Sequence, residues 1–276
     1  MSFRQSPVYP FFLGDKPRII GHRGAMGEAP ENTLPSFQKA LNDGASLLEL
    51  DVQGSSEGEA VIIHDETLER TTNGRGLVRE QSLQQLKTLD AGHSFSPDTG
   101  KSYPYRGSHT EIPTLKELFL TLPRVRAIVE LKQRRPSIVA RVIAIIQELG
   151  KEEQVLLATE DDEIMRDIRQ ELSRRPAGIA TGFSFSEVAA FIRWATGGRK
   201  SDYTPPGQAL QIPRKYQDET LVTLETVGAA HHLGVELFVW TVNEVEEMAA
   251  LLGLDVDGII TDYPVRLGRL LEKRTQ

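Results

Sequence analysis

The chain contains no cysteine among its 276 residues. Disulfide bonds, thiolate catalysis and cysteine-ligated zinc or iron–sulfur sites are therefore excluded. No stretch approaches the roughly 20 consecutive apolar residues that a membrane span requires. The apolar patch at residues 9–13 is interrupted by Pro10 and does not form the core of a signal peptide. We therefore expect a cytoplasmic protein without stable membrane insertion.

The chain also lacks a basic excess, because 32 lysines and arginines face 39 aspartates and glutamates, for a formal net charge of −7. A general nucleic-acid binder usually has a basic excess, so we expect no nucleic-acid partner. A small anionic substrate is compatible with this charge if positive groups are concentrated locally. The hydrophobic fraction of 39% and the charged fraction of 26% are typical of a folded globular protein.

Short apolar segments alternate with amphipathic helical segments along most of the chain. The predicted strands are at residues 18–22, 46–52, 125–131, 155–158, 178–182, 209–212, 236–242 and 257–261. The helical patterns that follow them are at residues 34–43, 115–122, 138–149, 161–172, 185–195, 218–233, 245–252 and 265–272. Eight strands, each followed by a helix, predict an α/β fold of the (β/α)8 TIM barrel type. A doubly wound open sheet is the alternative, because periodicity alone does not show closure.

Residues 53–112 interrupt this regular spacing after the second strand. The segment holds a predicted hairpin arm at residues 60–63 and turn signals at Asn73, Gly74 and Gly76. A long insertion that follows a barrel strand emerges at the C-terminal face, where active sites of such barrels lie. We predict one catalytic barrel domain over residues 1–276, with residues 53–112 as an insertion that caps its C-terminal face.

Three carboxylates are predicted at neighbouring strand ends. Glu49 and Asp51 lie two residues apart in one strand, so their side chains point to the same side and repel each other unless a cation lies between them. Glu130 lies near the end of the next barrel strand. Three oxygen ligands suit a hard divalent cation: Mg²⁺, Ca²⁺ or Mn²⁺. The alternative is that these are strand acids that are exposed or paired with lysine.

Two histidines follow predicted strands. His22 lies between Gly21 and Arg23, where the glycine permits a tight turn, and His64 precedes Asp65, which is placed to orient its ring. A single histidine at a strand end is more often structural. Two imidazoles near one metal, however, suit general acid–base chemistry at neutral pH.

Arg23 and Lys132 place positive charge beside the predicted acids. Three carboxylates and one divalent cation sum to −1, and a phosphodiester adds another negative charge, so one arginine and one lysine restore neutrality. Arginine binds phosphate oxygens with two donors, and lysine acts as a point charge. The alternative for Lys132 is a simple ion pair with one of the acids.

Two other segments have structural as well as functional interpretations. Residues 30–33, Pro-Glu-Asn-Thr, precede the first helix, and their simplest interpretation is an N-terminal cap formed by Asn32 or Thr33. Trp240 ends the seventh predicted strand. It is placed either to pack at the barrel rim or to stack on the organic part of a substrate.

A set of short motifs follows along nearly the whole chain: Gly-His-Arg-Gly at 21–24, Pro-Glu-Asn-Thr at 30–33, Glu-x-Asp-Val at 49–52, His-Asp-x-Thr-Leu-x-Arg-Thr-Thr at 64–72, Leu-Asp-Ala-Gly at 89–92, Ile-Pro-Thr-Leu at 112–115, Glu-Leu-Lys at 130–132, Trp-Thr-Val-Asn at 240–243 and Asp-Gly-Ile-Ile-Thr-Asp-Tyr-Pro at 257–264. Together, their order and spacing resemble the glycerophosphodiester phosphodiesterase family. Two departures are Ser-Ser-Glu-Gly at 55–58, where the family often has Thr-x-Asp-Gly, and Glu-Leu-Lys in place of Glu-Ile-Lys. Residues 93–111 match no motif, so the resemblance does not indicate which residues recognise the alcohol part of the substrate.

The resemblance implies a TIM barrel that hydrolyses glycerophosphodiesters to sn-glycerol 3-phosphate and an alcohol. It implies one divalent cation, bound by Glu49, Asp51 and Glu130. The same resemblance implies that the acid–base pair is formed by His22 and His64. It assigns substrate binding and its support to Arg23, Lys132, Trp240, Glu31 and Asn32, with Glu31 orienting Arg23.

Other functions compete with this interpretation. The nearest is a lysophospholipase D or phospholipase-C-like enzyme that acts on a lipid, for which Phe95, Tyr103 and Tyr105 of the insertion would supply an apolar surface. A non-catalytic binding barrel and a carboxylate–metal aldolase are further alternatives. The sequence leaves open which ion is bound, which alcohol is released, which histidine is the base, and the oligomeric state.

Overall fold

Parallel strands form a barrel with helices on its outside in the computed structural model, which describes residues 9–174, 178–199 and 201–275. The strands are β1 (Arg18–Gly21), β2 (Leu47–Gly54), β3 (Ala60–Ile62), β4 (Ala127–Leu131), β5 (Val155–Ala158), β6 (Ala180–Thr181), β7 (Ala209–Pro213), β8 (Lys215–Tyr216), β9 (Glu219–Thr220), β10 (Glu236–Trp240) and β11 (Gly258–Thr261). Around the barrel the order is β6, β5, β4, β2, β1, β11, β10 and β7. A parallel bridge between Gly182 and Ala209 joins the two ends of this sheet. The predicted TIM barrel is therefore confirmed, and the open sheet is wrong.

The helices are α1 (Leu34–Asn42), α2 (Leu83–Lys87), α3 (Leu115–Thr121), α4 (Val139–Glu148), α5 (Asp162–Arg174), α6 (Phe185–Thr196), α7 (Leu224–His232), α8 (Val245–Leu252) and α9 (Pro264–Thr275). Their starts follow local capping chemistry. The Thr114 side chain accepts from the backbone N–H of Glu117, and the Glu117 side chain accepts from the backbone N–H of Thr114. This capping box fixes the start of α3. No helix in the described part of the chain is long and apolar enough to cross a membrane.

The barrel interior changes from apolar to charged along the strands. Leu47 is fully buried at the start of β2, and Glu49 and Asp51 follow it on the same side of the strand because strand side chains alternate. The apolar inner layer comprises Ile20, Leu47, Ile128, Leu156, Ala180, Ala209, Phe238 and Ile260. Outward-facing residues of the same strands, such as Leu48 and Leu50, pack against the helices. The strand alternation thus places the two acids of β2 inside the barrel, towards its carboxyl end.

The opposite end of the barrel is closed by the segment before β1. Phe11 is 1% exposed and packs with the inner apolar layer. The guanidinium of Arg18, whose side chain has no exposed area, bonds to Glu236 and to the carbonyl of Phe12. This end is therefore built for stability, while the carboxyl end carries the chemically active groups.

The insertion forms a small structured unit on the carboxyl end of β2. Its strand β3 pairs antiparallel with β2, in register from Val52 opposite Ile62 to Gly54 opposite Ala60. It has its own buried apolar cluster, formed by Val61, Ile63, Leu68, Val78, Leu86, Ala91 and Ile112. The predicted arm at 60–63 is present, and the sequence did not predict α2.

One helix prediction is wrong at its start. The sequence pattern indicates a helix over residues 218–233, whereas α7 begins at Leu224. Residues before it form the β8–β9 hairpin, in which Lys215 pairs with Thr220. The helix starts where Thr223 caps it, since its hydroxyl accepts from the backbone N–H of Thr226.

Candidate active site

The strand register brings the three predicted acids together. Asp51 on β2 lies directly opposite Glu130 on β4, and Glu49 lies two residues earlier on the same inward face. One carboxylate oxygen from each of the three residues lies within 4.8 Å of the others. Glu49 and Asp51 are 5% and 1% exposed. The sequence expectation of a convergent acidic cluster is therefore met by the geometry.

Electrostatics indicate that the acidic cluster lacks full compensation by protein cations. Burial and the charge of Asp51 raise the pKa of Glu49 to about 8. Burial also raises the pKa of Glu130, although the ammonium of Lys132 opposes the change. Buried carboxylates that repel one another are stabilised by a bound cation, and their oxygen donors match a hard divalent ion. The residues of this cluster therefore fit such an ion.

His22 is held by a carboxylate from the last barrel strand. Its Nδ1 lies 2.6 Å from Oδ1 of Asp262, which directly follows β11, and its Nε2 lies 4.0 Å from Oε2 of Glu49. Asn243 donates to the other oxygen of Asp262 at 2.7 Å. Burial opposes protonation of His22, but the hydrogen bond to Asp262 and the charge of Glu49 outweigh it and raise the pKa.

His64 has a matching arrangement on the insertion. It follows β3, and its Nδ1 lies 2.6 Å from Oδ1 of Asp65, the next residue. The hydrogen bond from Arg70 lowers the pKa of Asp65 to about 2. A carboxylate that accepts from Nδ1–H leaves Nε2 for proton exchange. Both imidazoles line the same cavity of about 260 Å³.

Arg23 lies between the acids and the loop that begins α1. Its backbone N–H donates to Oε2 of Glu49 at 3.0 Å, and its Nη1 donates to Oε1 of Glu31 at 2.8 Å. Its Nε is 3.1 Å from Oδ2 of Asp51, but the nitrogen is buried without a hydrogen-bond partner. The guanidinium is therefore held between Asp51 and Glu31, at the wall of the cavity.

A glycine allows this loop to pack closely on the start of α1. Gly24 has φ +88°, and a Cβ at this position would lie 2.4 Å from Oγ of Ser36. Any side chain here would displace the loop. The Gly-His-Arg-Gly sequence thus fixes the backbone that carries His22 and Arg23.

Lys132 and Trp240 line the same cavity as Arg23. The Lys132 ammonium is 2.7 Å from Oε1 of Glu130 and 3.3 Å from Oδ1 of Asp51, so the ion pair that the sequence analysis gave as the alternative is present. Trp240 is half-buried at the end of β10, with Phe183 and Gln211 also lining the cavity. The site therefore combines cationic groups with an aromatic wall.

Asn32 is not the cap of α1, which corrects one interpretation of the Pro-Glu-Asn-Thr segment. The cap is Thr33, whose hydroxyl accepts from the backbone N–H of Ser36. Asn32 has φ +58°, and its amide nitrogen donates to Oδ2 of Asp51 at 2.9 Å. Its amide oxygen accepts from the backbone N–H of Asp51 at 3.3 Å. Asn32 therefore orients an acid of the cluster.

Sequence reasoning missed three residues that support the site. Asp262 and Asn243 hold His22, and Arg70 bonds to both Asp65 and Glu31. Each of the three stands in a motif that the sequence analysis quoted. The motifs were therefore a usable signal, but no local pattern shows which side chains meet across the barrel mouth.

Comparison with known proteins agrees with this geometry. The model of the glycerophosphoryl diester phosphodiesterase family matches residues 22–266. A glycerophosphodiester phosphodiesterase of Caldanaerobacter subterraneus is 33% identical over 264 residues, which cover 94% of this chain and 99% of the relative. These matches define the class of the protein as a phosphodiesterase. The chain belongs to the glycerophosphoryl diester phosphodiesterase family.

Other relatives show the range of this family. A phosphodiesterase of Oleispira antarctica, solved in complex with the product sn-glycerol-3-phosphate, is 27% identical with a TM-score of 0.72, and the match covers 93% of this chain and 97% of that one. A lysophospholipase D of Mus musculus is 26% identical, with coverage of 91% of this chain and 84% of the relative.

Proposed function

We propose that this phosphodiesterase hydrolyses soluble glycerophosphodiesters to sn-glycerol 3-phosphate and a free alcohol, with one divalent cation in the site. The observation that carries the proposal is the convergence of three carboxylates and two carboxylate-bound imidazoles on one cavity of about 260 Å³. The product named in the complex of the Oleispira antarctica relative supports the same substrate class.

Glu49, Asp51 and Glu130 would hold the cation. Their oxygen donors converge within 4.8 Å, and Asn32 keeps Asp51 oriented. A cation bound there would supply Lewis-acid neutralisation of a phosphoryl oxygen. Mg²⁺, Ca²⁺ and Mn²⁺ all accept such ligands.

His22 and His64 would move the protons. One imidazole takes the proton of the nucleophile, which is water or the neighbouring glycerol hydroxyl, as its oxygen bonds to phosphorus. The other imidazole donates a proton to the departing alkoxide as its P–O bond breaks, so proton and charge balance. If the glycerol hydroxyl attacks first, the cyclic phosphate that results is then opened by water.

Arg23, Lys132 and Trp240 would bind the substrate. Arg23 brings a guanidinium to the cavity wall, where Glu31 holds it through Nη1. Lys132 adds a second positive charge beside Asp51. Trp240 gives the glycerol or alcohol part an aromatic wall. These roles follow the charge requirement of a bound phosphodiester.

Residues 1–276 would form one catalytic barrel domain. Within it, residues 53–112 would form the insertion that caps the mouth of the barrel. It contributes His64 to the catalytic cavity. A second cavity of about 420 Å³ lies between the insertion and the barrel loops, with Phe95 and Ser96 on one side and Met26 and Tyr263 on the other. The insertion therefore covers barrel loops next to the proposed reaction centre.

The direct test is release of sn-glycerol 3-phosphate from glycerophosphocholine and glycerophosphoethanolamine. The protein is treated with EDTA, and Mg²⁺, Ca²⁺ or Mn²⁺ is then restored separately. We expect no release after EDTA and recovery with at least one ion. Asp51→Asn should not recover with any ion, whereas the exposed-site control Asp218→Asn should behave as the unmodified protein. Release that resists EDTA would contradict the metal site.

A lysolipid substrate is the second candidate, favoured by the lysophospholipase D relative of Mus musculus. The insertion exposes Tyr103 at 38%, but Phe95 and Tyr105 pack edge-to-face on each other with ring centroids 5.6 Å apart. The apolar surface on this side is therefore small. Rates on glycerophosphocholine and lysophosphatidylcholine, with and without vesicles, separate the two: hydrolysis of the lysolipid alone would favour this candidate.

A further inference from the structure

Arg70 of the insertion takes no direct part in the reaction proposed above, yet it joins two regions of the site. Its Nη1 and Nη2 donate to the two oxygens of Glu31 at 2.6 and 2.8 Å. Its Nε and Nη2 donate to the two oxygens of Asp65 at 2.6 and 3.0 Å. Because the guanidinium is planar and rigid, these paired contacts fix both carboxylates relative to each other.

Each carboxylate carries this constraint to a different functional residue. Asp65 meets Nδ1 of His64 at 2.6 Å, and Glu31 accepts from Nη1 of Arg23 at 2.8 Å. His64 belongs to the insertion, whereas Arg23 belongs to the loop after β1. Arg70 therefore connects the insertion to the barrel at the level of the reacting groups.

The charges keep this connection intact at neutral pH. Burial acts to raise the pKa of Glu31, but the hydrogen bond from Arg70 and the charge of Arg23 lower it below its usual range. The side chain of Glu31 is 11% exposed, and that of Asp65 is 27% exposed. Both acids are therefore ionised partners of a charge-assisted pair in a partly shielded environment.

We propose that Arg70 is a positioning residue that sets the orientation of His64 through Asp65 and that of Arg23 through Glu31. The inference rests on the proposed function, in which His64 transfers a proton and Arg23 binds phosphate. Arg70 lines the adjoining cavity of about 420 Å³ rather than the catalytic cavity, so it acts through the two carboxylates.

The test measures kcat and KM for glycerophosphocholine in the single variants Arg70→Met, Asp65→Asn and Glu31→Gln. It also measures them in the two double variants that combine Arg70→Met with Asp65→Asn or with Glu31→Gln. The control is Arg79→Met, since Arg79 is a half-exposed arginine of the same insertion with one 3.5 Å contact to Glu66. We expect Asp65→Asn to lower kcat and Glu31→Gln to raise KM. Arg70→Met should do both, with a loss in kcat of about 10–100-fold, as for other groups that orient catalytic ligands.

The double variants distinguish positioning from general stabilisation. If Arg70 acts through Asp65, adding Asp65→Asn to Arg70→Met lowers kcat little further, because the same interaction is already lost. Multiplicative losses in the double variant would overturn the inference. Arg70→Lys guards against misfolding of Arg70→Met: it keeps the charge but loses the paired geometry, so we expect a folded protein with an intermediate kcat.

The controls separate failure of this inference from failure of the proposed function. Kinetics of Arg70→Met that match those of Arg79→Met, in a background of active unmodified protein, would overturn the positioning role alone. An unmodified protein that hydrolyses no glycerophosphodiester with any of the three ions would overturn the proposed function and, with it, this inference.

Discussion

His22 and Asp262 meet at the barrel mouth with Nδ1 and Oδ1 2.6 Å apart, although 240 positions separate them in the chain. Their contact depends on the pairing of the first and last barrel strands of the chain, since β1 pairs with β11 from Arg18 opposite Gly258 to Gly21 opposite Thr261. The carboxylate fixes the ring and the position of its proton, and Asn243 in turn fixes the carboxylate. The first and last barrel strands thus jointly present one imidazole to the cavity.

This relationship predicts that Asp262→Asn lowers kcat by about 10–100-fold, as loss of an orienting partner commonly does. The amide keeps the size of the side chain but removes the charge that stabilises a protonated His22. Steady-state hydrolysis of glycerophosphocholine measures the effect. Asp218→Asn, on the exposed β8–β9 turn, is the matched control and should leave kcat unchanged. Equal rates for the two variants would contradict the role of Asp262.

Removing either imidazole should be more severe. We expect His22→Ala and His64→Ala each to lose about 10²–10⁴-fold in kcat, the range for one general acid or base. The thermal unfolding midpoint should change little, because both side chains line the cavity and neither belongs to the apolar inner layer. His232→Ala, an exposed histidine of α7, is the control. A near-normal rate in either cavity variant would remove that histidine from the mechanism.

The sequence could predict much of the site because strand alternation is a local rule. Glu49 and Asp51 share a face at a spacing of two residues, and Glu130 lies on the next barrel strand. The sequence could not predict that Arg70 meets Glu31, because these residues are 39 positions apart and their contact depends on how the insertion folds back onto the barrel. The cap interpretation of Asn32 is wrong for a related reason, since only the folded chain places Asp51 next to its amide.

Trp240 should affect substrate binding more than the chemical step. We expect Trp240→Ala to raise KM for glycerophosphocholine about tenfold, equivalent to about 1.4 kcal/mol, with a smaller change in kcat. Trp240→Phe should restore most of the affinity, because an aromatic face remains. The two variants are compared in full kinetic curves. A fall in kcat with unchanged KM would indicate a different role for this side chain.

The ion pair between Arg70 and Asp65 makes a pH-dependent contribution to stability. The folded-state pKa of Asp65 is about 2, below its usual value of 3.8, so folding favours the ionised form. This stabilisation is present above about pH 4 and is lost as pH falls towards 2. We expect Asp65→Asn to lower the free energy of unfolding by about 1–2 kcal/mol at pH 6, with the difference shrinking below pH 4. Urea unfolding of metal-free protein between pH 3 and 6 tests this, and a difference that grows on acidification would contradict it.

The closed end of the barrel should respond to mutation in the opposite way, with loss of stability but not of chemistry. Arg18 has no exposed side-chain area and pairs with Glu236, whereas the nearby Lys16 is 46% exposed and pairs with Asp257 and Glu236. In Arg18→Met, the buried Glu236 loses this partner. Among the described residues, its one remaining ion-pair partner is then the partly exposed Lys16. We therefore expect a loss of about 3 kcal/mol in the free energy of unfolding. Lys16→Met should cost less than about 1 kcal/mol. Because the catalytic cavity lies at the other end of the strands, kcat of the folded fraction should not change in either variant. A large fall in kcat without a loss of stability would contradict this separation of the two ends.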